Sequence, residues 1–417
     1  MILKTNMKVQ EIENKIMDGN TSSKNLNEDN AYRITERLAF PRLIGSEGEK
    51  KAREIVVDEF TKAGYNPIHR DEFKTSFHTW IFTRYIFLII GSVLLFLALS
   101  VYINPYLTIT VFVLGLYGSF NALSISVSTK IRLCKNEIYN HDTENIYVNL
   151  KSQNSKAKVI FIGHWDSKSQ SFSTSTRMMI FIIFIFGTLI LYLIFFILSL
   201  LKIFIDFNLP ILNNILLDTC IVIAIIGAFN YFNKTGNESP GAFDNAAAVG
   251  TIMELARFYK KNPINNIDLL FLCTGSEELN LGGAIHFIQK YKDKFDKNST
   301  FFINLDFIGG AELIRLMSSY GIPRKSSSDK LNKLFLESAE ELKIKIKDIY
   351  APTGVWSDYM PIVQEGFEAC WLASQPGLKY VHTKNDNMNL ISKEGIKNIL
   401  LLCVDVVTKL ENEQENL

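Results

Sequence analysis

Two adjacent carboxylates, Glu277 and Glu278, are the residues whose types and spacing most clearly suggest chemistry. They follow the apolar run 267–272, which is predicted to be a buried strand, so they lie at the carboxyl end of that strand. Adjacent carboxylates repel each other, and a metal ion relieves the repulsion if one carboxylate binds it and the other acts as a base on metal-bound water. Acidic residues are also common in the first turn of a helix, so a solvated pair at a helix start is the alternative.

A histidine and a carboxylate follow a second predicted strand, 158–163. His164 stands at the end of this strand and can give an imidazole nitrogen to a metal, while Asp166 is placed to orient that imidazole. Histidines at strand ends are more often structural, so this motif alone leaves both roles open.

Three further candidate ligands are spread over the rest of the chain. Asp244 lies in a Pro-Gly turn that opens a helix, where it can cap that helix or bridge two metal ions. Asp306 lies at the end of the predicted buried strand 300–307, and His382 lies near the end of the domain. Each of the three also has a structural interpretation, as a helix cap or as part of a surface loop.

The elements that position these residues alternate between strands and helices, which predicts an α/β fold. The polar segment 1–28 is interpreted as a lead-in. The catalytic domain is assigned to three segments, 29–79, 129–176 and 233–417, which are separated by two insertions.

The two insertions, 80–128 and 177–232, each contain two apolar runs joined by a short link. Runs of about 20 apolar residues are long enough to cross a bilayer as helices. Each insertion is therefore predicted to be a transmembrane hairpin, and the chain is predicted to span the membrane four times. The last run is the weakest, because Asn213, Asn214 and Asp218 interrupt its start. A buried hairpin within the protein core is the alternative.

Composition excludes some functions and favours a compartment. The formal net charge is +1 and there is no basic tract, so no nucleic-acid partner is expected. The five cysteines form no close pair, which argues against a disulfide framework and fits a reducing compartment. The amino terminus does not resemble a signal peptide, because charged residues interrupt it before an apolar core forms.

Charges near the predicted spans favour a cytoplasmic catalytic domain. Four spans return the chain to its starting side, so all the motifs share one compartment. Lys and Arg residues near span ends tend to stay in the cytoplasm, and here they lie on the soluble side, whereas the links carry only Lys202 and Asp206. The flanking basic residues are Lys74, Arg84, Lys130, Arg132, Lys135, Arg177 and Lys234.

Taken together and in their order along the chain, these motifs resemble the di-zinc aminopeptidases of metallopeptidase family twenty-eight. The Pro-Gly-Ala-x-Asp-Asn run at 240–245 and the Glu-Glu run followed by Leu-Gly-Gly at 277–283 are fairly specific, and matching elements extend from 42–46 to 382–383. The resemblance implies a mixed β-sheet sandwiched by helices. It also implies a zinc-dependent exopeptidase that removes amino-terminal residues from a peptide substrate.

The same resemblance implies two zinc ions per chain and a role for each candidate residue. Asp244 would bridge the two ions, and Glu277 would be the general base for attack by a metal-bridged hydroxide. The remaining ligands would be His164 and Asp306 at the first ion and Glu278 and His382 at the second. Asp166, Asp358 and Tyr380 would surround these ligands or contact the substrate.

Three features depart from the pattern of the family. The segment between His164 and Asp244 is much longer than in secreted relatives, because the second insertion lies inside it. Val381 precedes the last histidine, where some relatives carry an aromatic residue, so it stays open whether Tyr380 stabilises an oxyanion. Tyr359 likewise stands where relatives often have histidine.

Two other functions are alternatives to the aminopeptidase hypothesis. Glutaminyl-peptide cyclotransferases share the implied fold and a similar His-x-Asp-Ser-Lys run, present here at 164–168, and a single zinc ion per chain would favour that function. A non-catalytic membrane receptor on a peptidase fold would be expected to lose ligands, whereas this chain keeps all five ligands and the base. The substrate side-chain preference and the oligomeric state do not follow from the sequence.

Overall fold

The computed structural model of the chain describes residues 26–127, 141–205, 209–352, 354–376 and 379–415. Most of the predicted lead-in lies outside these residues. The helices are α1 Glu28–Leu38, α2 Glu47–Lys62, α3 His78–Ile103, α4 Pro105–Val127, α5 Thr174–Ile205, α6 Pro210–Phe229, α7 Ala247–Lys261, α8 Gly282–Tyr291, α9 Asp329–Glu341, α10 Tyr359–Gln364 and α11 Lys393–Glu415. The strands are β1 His69–Thr75, β2 His141–Leu150, β3 Ala157–His164, β4 Ser169–Gln170, β5 Thr235–Gly236, β6 Ile267–Thr274, β7 Thr300–Leu305, β8 Ile314–Tyr320, β9 Lys325–Ser326, β10 Ile346–Ala351 and β11 Glu368–Ser374.

A mixed sheet of nine strands forms the centre of the described residues outside the two insertions. Its order is β1-β2-β6-β3-β7-β11-β8-β10, and β9 pairs with β8. The strands β6, β3, β7 and β11 are parallel neighbours, so their carboxyl ends meet at one edge of the sheet. In open α/β sheets this edge is where ligands bind. The short strands β4 and β5 form a separate antiparallel pair.

Helices cover both faces of the sheet, as the resemblance implies. Val159 and Phe161 of β3 pack on one face with α1, α2, α7 and α11, while Ile160 and Ile162 pack on the other face with α8 and α10. A strand that is buried on both faces needs a continuous apolar run, which explains why β3 and β6 do not alternate. Each fully buried side chain of this kind contributes about 1.5–3 kcal/mol relative to an exposed one.

The two insertions form two helix pairs, α3–α4 and α5–α6, which pack together as an apolar bundle. Their inner faces bury residues such as Leu97 and Phe195, whereas Phe186 and Ile211 on the outer faces are 60% and 77% exposed. Small residues allow the helices to cross closely. Gly91 of α3 faces Ala224 of α6, and a Cβ added at Gly91 would lie only 3.5 Å from Ala224. An apolar outer surface of this extent marks a surface that faces something other than water.

Three helical stretches in the described residues are long and apolar enough to cross a membrane: 83–103, 174–205 and 210–232. These correspond to α3, α5 and α6 with its short extension. The helix α4 has 23 residues, and the prediction of four spans stays a prediction.

Two predictions of element boundaries differ from the structure. The Pro-Gly turn at Asp244 predicts a helix over 243–260, but this helix becomes regular only at Ala247, because Asp244 and Asn245 have non-helical backbone angles. The edge strand β10 was not predicted, since its side chains are exposed or half-buried and its longest apolar run has only three residues.

Candidate metal centre

The predicted ligands lie together at the carboxyl edge of the parallel strands. His164 is the last residue of β3 and pairs in register with Thr274, the last residue of β6. Asp306 follows β7 directly, and Glu277 and Glu278 follow β6 after a short turn. These three strands are neighbours in the sheet, so residues that are far apart in sequence meet at one place.

Asp244 lies between two histidines and faces both. Its Oδ1 is 3.1 Å from Nε2 of His164, and its Oδ2 is 3.0 Å from Nε2 of His382. The same Nε2 of His382 is 3.1 Å from Oε2 of Glu278, and Nε2 of His164 is 3.5 Å from Oδ1 of Asp306. Two sets of three side chains therefore share one carboxylate, as in a bridged two-metal site.

The chemistry of these donors fits zinc. In each set, one potential ligand atom per residue lies within 4.8 Å of the others. Two of these atoms, Nε2 of His164 and Oδ1 of Asp306, are buried, and despite their short distances to each other and to Asp244 they make no hydrogen bond of acceptable geometry in the described residues. Buried polar groups are rarely left unpaired, so such atoms point to a missing partner. Imidazole and carboxylate are normal zinc ligands, and three protein ligands leave a position for water or substrate.

Asp166 holds the Glu pair and the first histidine in one arrangement. Its two carboxylate oxygens accept hydrogen bonds from the backbone amides of Glu277 and Glu278, each at 3.2 Å. Nδ1 of His164 is 3.1 Å from the backbone oxygen of Asp166 and 3.5 Å from its carboxylate. The residue therefore positions the two glutamates as well as the imidazole that the sequence assigned to it.

The environments of the two glutamates push their proton affinities apart. Burial raises the pKa of Glu277 well above its usual value, and the charges of Glu278 and Asp306 add to that effect. Burial also opposes ionisation of Glu278, but His382 and the cation of Lys168 lower its pKa below the usual value. A pair of acids separated in this way suits a division between proton carrier and ligand.

The pKa of His164, like that of Glu277, is raised well above its usual value, although the imidazole becomes a cation when it binds a proton. Burial alone would lower the pKa of its imidazole, but the surrounding carboxylates, led by Glu277, raise that pKa well above its usual value. The cluster thus holds an excess of negative charge that a divalent cation would neutralise.

Asp306 and Asp358 are linked through the turn before α10. Ser357 donates a hydrogen bond to Oδ2 of Asp306 at 2.6 Å, and Thr274 donates one to Asp358. Burial raises the pKa of Asp358 to about 7, and its Oδ1 is buried without a hydrogen-bond partner in the described residues. The charge of Asp358 also contributes to the raised pKa of Glu277. A role for Asp358 around the ligands or at the substrate stays a prediction.

The segment around His382 is strained. His382 has a φ of 61°, and two other non-glycine residues next to the site, Ser276 and Phe307, have φ values of 60° and 58°. This left-handed region is uncommon for such residues and clusters at functional sites. Tyr380 lies in the same turn, and its backbone oxygen accepts a hydrogen bond from Thr383. A part for Tyr380 in oxyanion stabilisation stays a prediction.

Two residues that the sequence did not single out hold the turn of Asp244. The buried guanidinium of Arg42 donates to the backbone oxygens of Trp165 at 2.6 Å and Gly241 at 2.8 Å, so it ties the turn to the loop after β3. Asp386 accepts from the amides of Phe243 and Asp244, at 2.6 Å and 3.1 Å. Burial raises the pKa of Asp386 to about 7. The position of Asp386, four residues after the candidate ligand His382, is the sequence feature that could have marked it as a residue of the site.

Lys168 is a third residue of the site that the sequence did not single out. Its ammonium group lies 2.7 Å from Oε2 of Glu278, and both side chains are almost fully buried. A buried cation against a ligand carboxylate fixes the orientation of that carboxylate. The sequence had shown this lysine only as part of the His-x-Asp-Ser-Lys run.

Comparison with known proteins supports the resemblance on independent grounds. Residues 222–407 match the model of Peptidase family M28. Over 164 residues the chain is 28% identical to Aminopeptidase YwaD of Bacillus subtilis (strain 168), an alignment that covers 38% of this chain and 35% of that protein. The predicted resemblance to this peptidase family is confirmed, while the match spans about a third of the relative's length.

Solved structures match the fold over most of the chain. An aminopeptidase from Aneurinibacillus sp. strain AM-1 superposes with a TM-score of 0.54 at 14% identity, covering 93% of this chain and 95% of that one. A zinc aminopeptidase from Bacillus subtilis gives 0.51 at 13% identity, covering 92% and 95%. A glutaminyl cyclase from an Acidobacteriales bacterium gives 0.53 at 12% identity, covering 93% and 96%. These matches confirm the mixed sheet between layers of helices, and the fold alone does not separate the two activities.

Proposed function

We propose that this chain is a membrane-anchored aminopeptidase with two zinc ions per chain. The observation that carries the proposal is the position of Asp244, whose two oxygens each face a different histidine. His164, Asp244 and Asp306 would hold the first ion, and Asp244, Glu278 and His382 would hold the second. The family match and the zinc aminopeptidase among the similar folds support the same assignment.

Bound zinc would supply Lewis acidity and a lowered pKa for the attacking water. Glu277 is the residue of the chain that handles protons. Its Oε2 lies 3.8 Å from Nε2 of His164, and its pKa is raised by burial, so it can take a proton from water and pass it to the leaving amine. Asp166 accepts a hydrogen bond from the backbone amide of Glu277 and so keeps Glu277 in position.

A glutaminyl-peptide cyclotransferase is the second candidate, because the His-x-Asp-Ser-Lys run and one of the similar folds fit it. A substrate screen of the purified protein separates the two. We expect release of the first residue from peptides with a free amino terminus and little release from the same peptides with an acetylated amino terminus. Cyclisation of glutaminyl peptides without hydrolysis of other peptides would instead establish the transferase.

We further propose that the substrate reaches the site close to the bilayer. The helix α3 begins three residues after Thr75, whose hydroxyl lies 2.6 Å from that of Ser276, next to the candidate base. The helix α5 begins four residues after Gln170, whose backbone N–H donates to the backbone oxygen of His382. Both apolar helix pairs thus begin at the rim of the site, which makes hydrophobic or membrane-released peptides the expected substrates.

Removal of 178–232 tests this proposal, because the flanking chain is already paired. The amide of Ser171 donates to the backbone oxygen of Lys234, so a short linker can join the two ends. We expect the folded deletion variant to lose its preference for hydrophobic over polar peptides. An unchanged ratio of kcat/KM between such peptides would contradict a substrate role for the second helix pair.

The proposed topology has four spans, with the catalytic domain in the cytoplasm. The distribution of Lys and Arg around the predicted spans supports it. Substitution Asn416→Cys in a variant without the native cysteines allows labelling of intact cells with a membrane-impermeant thiol reagent. Labelling only after lysis is the expected result, and labelling before lysis would put the carboxyl terminus outside.

A further inference from the structure

The second histidine of the site is contacted on its far side by an arginine from an apolar helix. Arg177 belongs to the first turn of α5, and its Nη2 lies 2.8 Å from Nδ1 of His382. The same nitrogen donates to the hydroxyl of Thr174 at 2.8 Å. The other nitrogen of the His382 ring, Nε2, faces Asp244 and Glu278. The imidazole is thus held between a cation and two carboxylates.

This contact conflicts with metal binding at His382. A guanidinium is a donor only, so Nδ1 must accept the hydrogen bond from Arg177. A neutral imidazole that gives its Nε2 lone pair to a metal carries its hydrogen on Nδ1, and two donors would then face each other. Metal-binding histidines normally donate that second N–H to a carboxylate, a carbonyl or water. The positive charge of Arg177 also repels a divalent cation.

The first histidine has the usual arrangement. Nδ1 of His164 lies 3.1 Å from the backbone oxygen of Asp166, which can only accept a hydrogen bond. That contact is compatible with a metal ion on Nε2. The two halves of the site therefore differ in one physical respect: an acceptor supports the first imidazole, and a cationic donor opposes ligation by the second.

We propose that Arg177 is a positioning residue that weakens binding of the second metal ion and moves away from Nδ1 of His382 when that ion binds. This inference rests on the proposed two-zinc site. Because Arg177 lies in the first turn of α5, its withdrawal is tied to the position of that helix. Occupancy of the second metal position is in this way linked to the apolar helices.

Zinc titration of the full-length, metal-free protein in lipid nanodiscs tests the proposal by calorimetry, with no need for activity. Arg177→Gln removes the charge and offers an amide oxygen that can accept from Nδ1–H. Residues that hydrogen-bond to a metal ligand typically change metal affinity by about 10–100-fold when they are substituted. We expect the second zinc ion to bind more tightly by about that factor in this variant, while the affinity for the first ion is unchanged.

Three further variants make the result specific. Arg177→Met removes the charge without adding an acceptor, so we expect a smaller shift in the same direction. Arg177→Lys keeps a cationic donor and should resemble the wild type. Arg84→Gln is the matched control, because Arg84 also lies near the start of an apolar helix but donates to the backbone oxygen of Tyr231. It should leave both zinc affinities unchanged.

The direction of the change separates a positioning role from a merely structural one. Loss of a residue that only supports the fold would loosen the second site, whereas the proposal predicts tightening. If the wild type binds two zinc ions and Arg177→Gln binds the second one equally well or more weakly, the proposal is wrong. A wild type that binds a single ion at saturation would contradict the two-zinc site itself.

Discussion

The two ends of β6 hold buried carboxylates in opposite states. At the amino end, Asp268 accepts hydrogen bonds from Lys151 at 2.7 Å, Lys158 at 3.2 Å and the amide of Ser152 at 3.0 Å. Burial opposes its ionisation, but these donors lower the pKa of Asp268 to about 2. Beyond the carboxyl end, Glu277 is also buried and lies deeper in the protein, and its pKa is raised well above the usual value.

This difference in pKa distinguishes a structural carboxylate, Asp268, from a carboxylate of the candidate site, Glu277. The chain itself supplies every partner that Asp268 needs, so this residue ties together the strands at that edge. At the other end, acids gather around two imidazoles, while buried ligand atoms make no hydrogen bond within the part of the chain that the structure describes. A protein tolerates such a cost at a site that binds something from outside, and here the donors fit a pair of zinc ions.

The largest effect is expected from Glu277→Gln. The amide cannot carry a proton, and general acid–base help is typically worth about 10²–10⁴-fold, so kcat should fall by that factor. Zinc content should stay at the wild-type value, because no ligand is removed. Steady-state kinetics and metal analysis of the same sample check both statements. Near-normal hydrolysis by this variant would exclude Glu277 as the base.

Asp244→Asn should act on the metals and not on proton transfer. The bridging position loses its negative charge, so the variant should retain fewer than two zinc ions per chain after dialysis. Elemental analysis of the purified protein gives the count. The comparison breaks down if this variant keeps both ions, since Asp244 would then not bridge them.

Asp268→Asn at the other end of β6 should leave activity and zinc content unchanged and cost only stability. The folded pKa of Asp268 is about 2, below an unfolded value of about 3.9. Its ion pairs therefore stabilise the protein above about pH 4, and that contribution is lost as the pH falls through the folded pKa. After allowance for solvent screening, we expect about 1 kcal/mol at neutral pH.

Thermal unfolding of the wild type and of Asp268→Asn, followed from neutral pH to about pH 3, measures this contribution. The difference between the two melting temperatures should shrink as the pH falls. A difference that grows on acidification would reverse the sign of the argument.

Much of this could be predicted from the sequence, because the informative residues follow buried strands. The apolar runs of β3, β6 and β7 located the carboxyl edge, and His164, Glu278 and Asp306 lie at or just beyond the ends of those runs. Asp244 and His382 lie in turns elsewhere in the chain, and only the resemblance to a known family joined them to the other three. Arg42 and Asp386 were not singled out, since their roles are hydrogen bonds to backbone groups far away in sequence. The contact of Arg177 with His382 spans 205 residues, and no local pattern signals it.

The number of hydrolytic turnovers as a function of zinc bound per chain tests the central claim most directly. Metal-free protein would be titrated with zinc, and release of the first residue from a peptide with a free amino terminus would be followed at each step. We expect no turnover without zinc and full turnover only when two ions are bound per chain. Full turnover by the metal-free protein, or at saturation with a single ion, would contradict the two-zinc aminopeptidase.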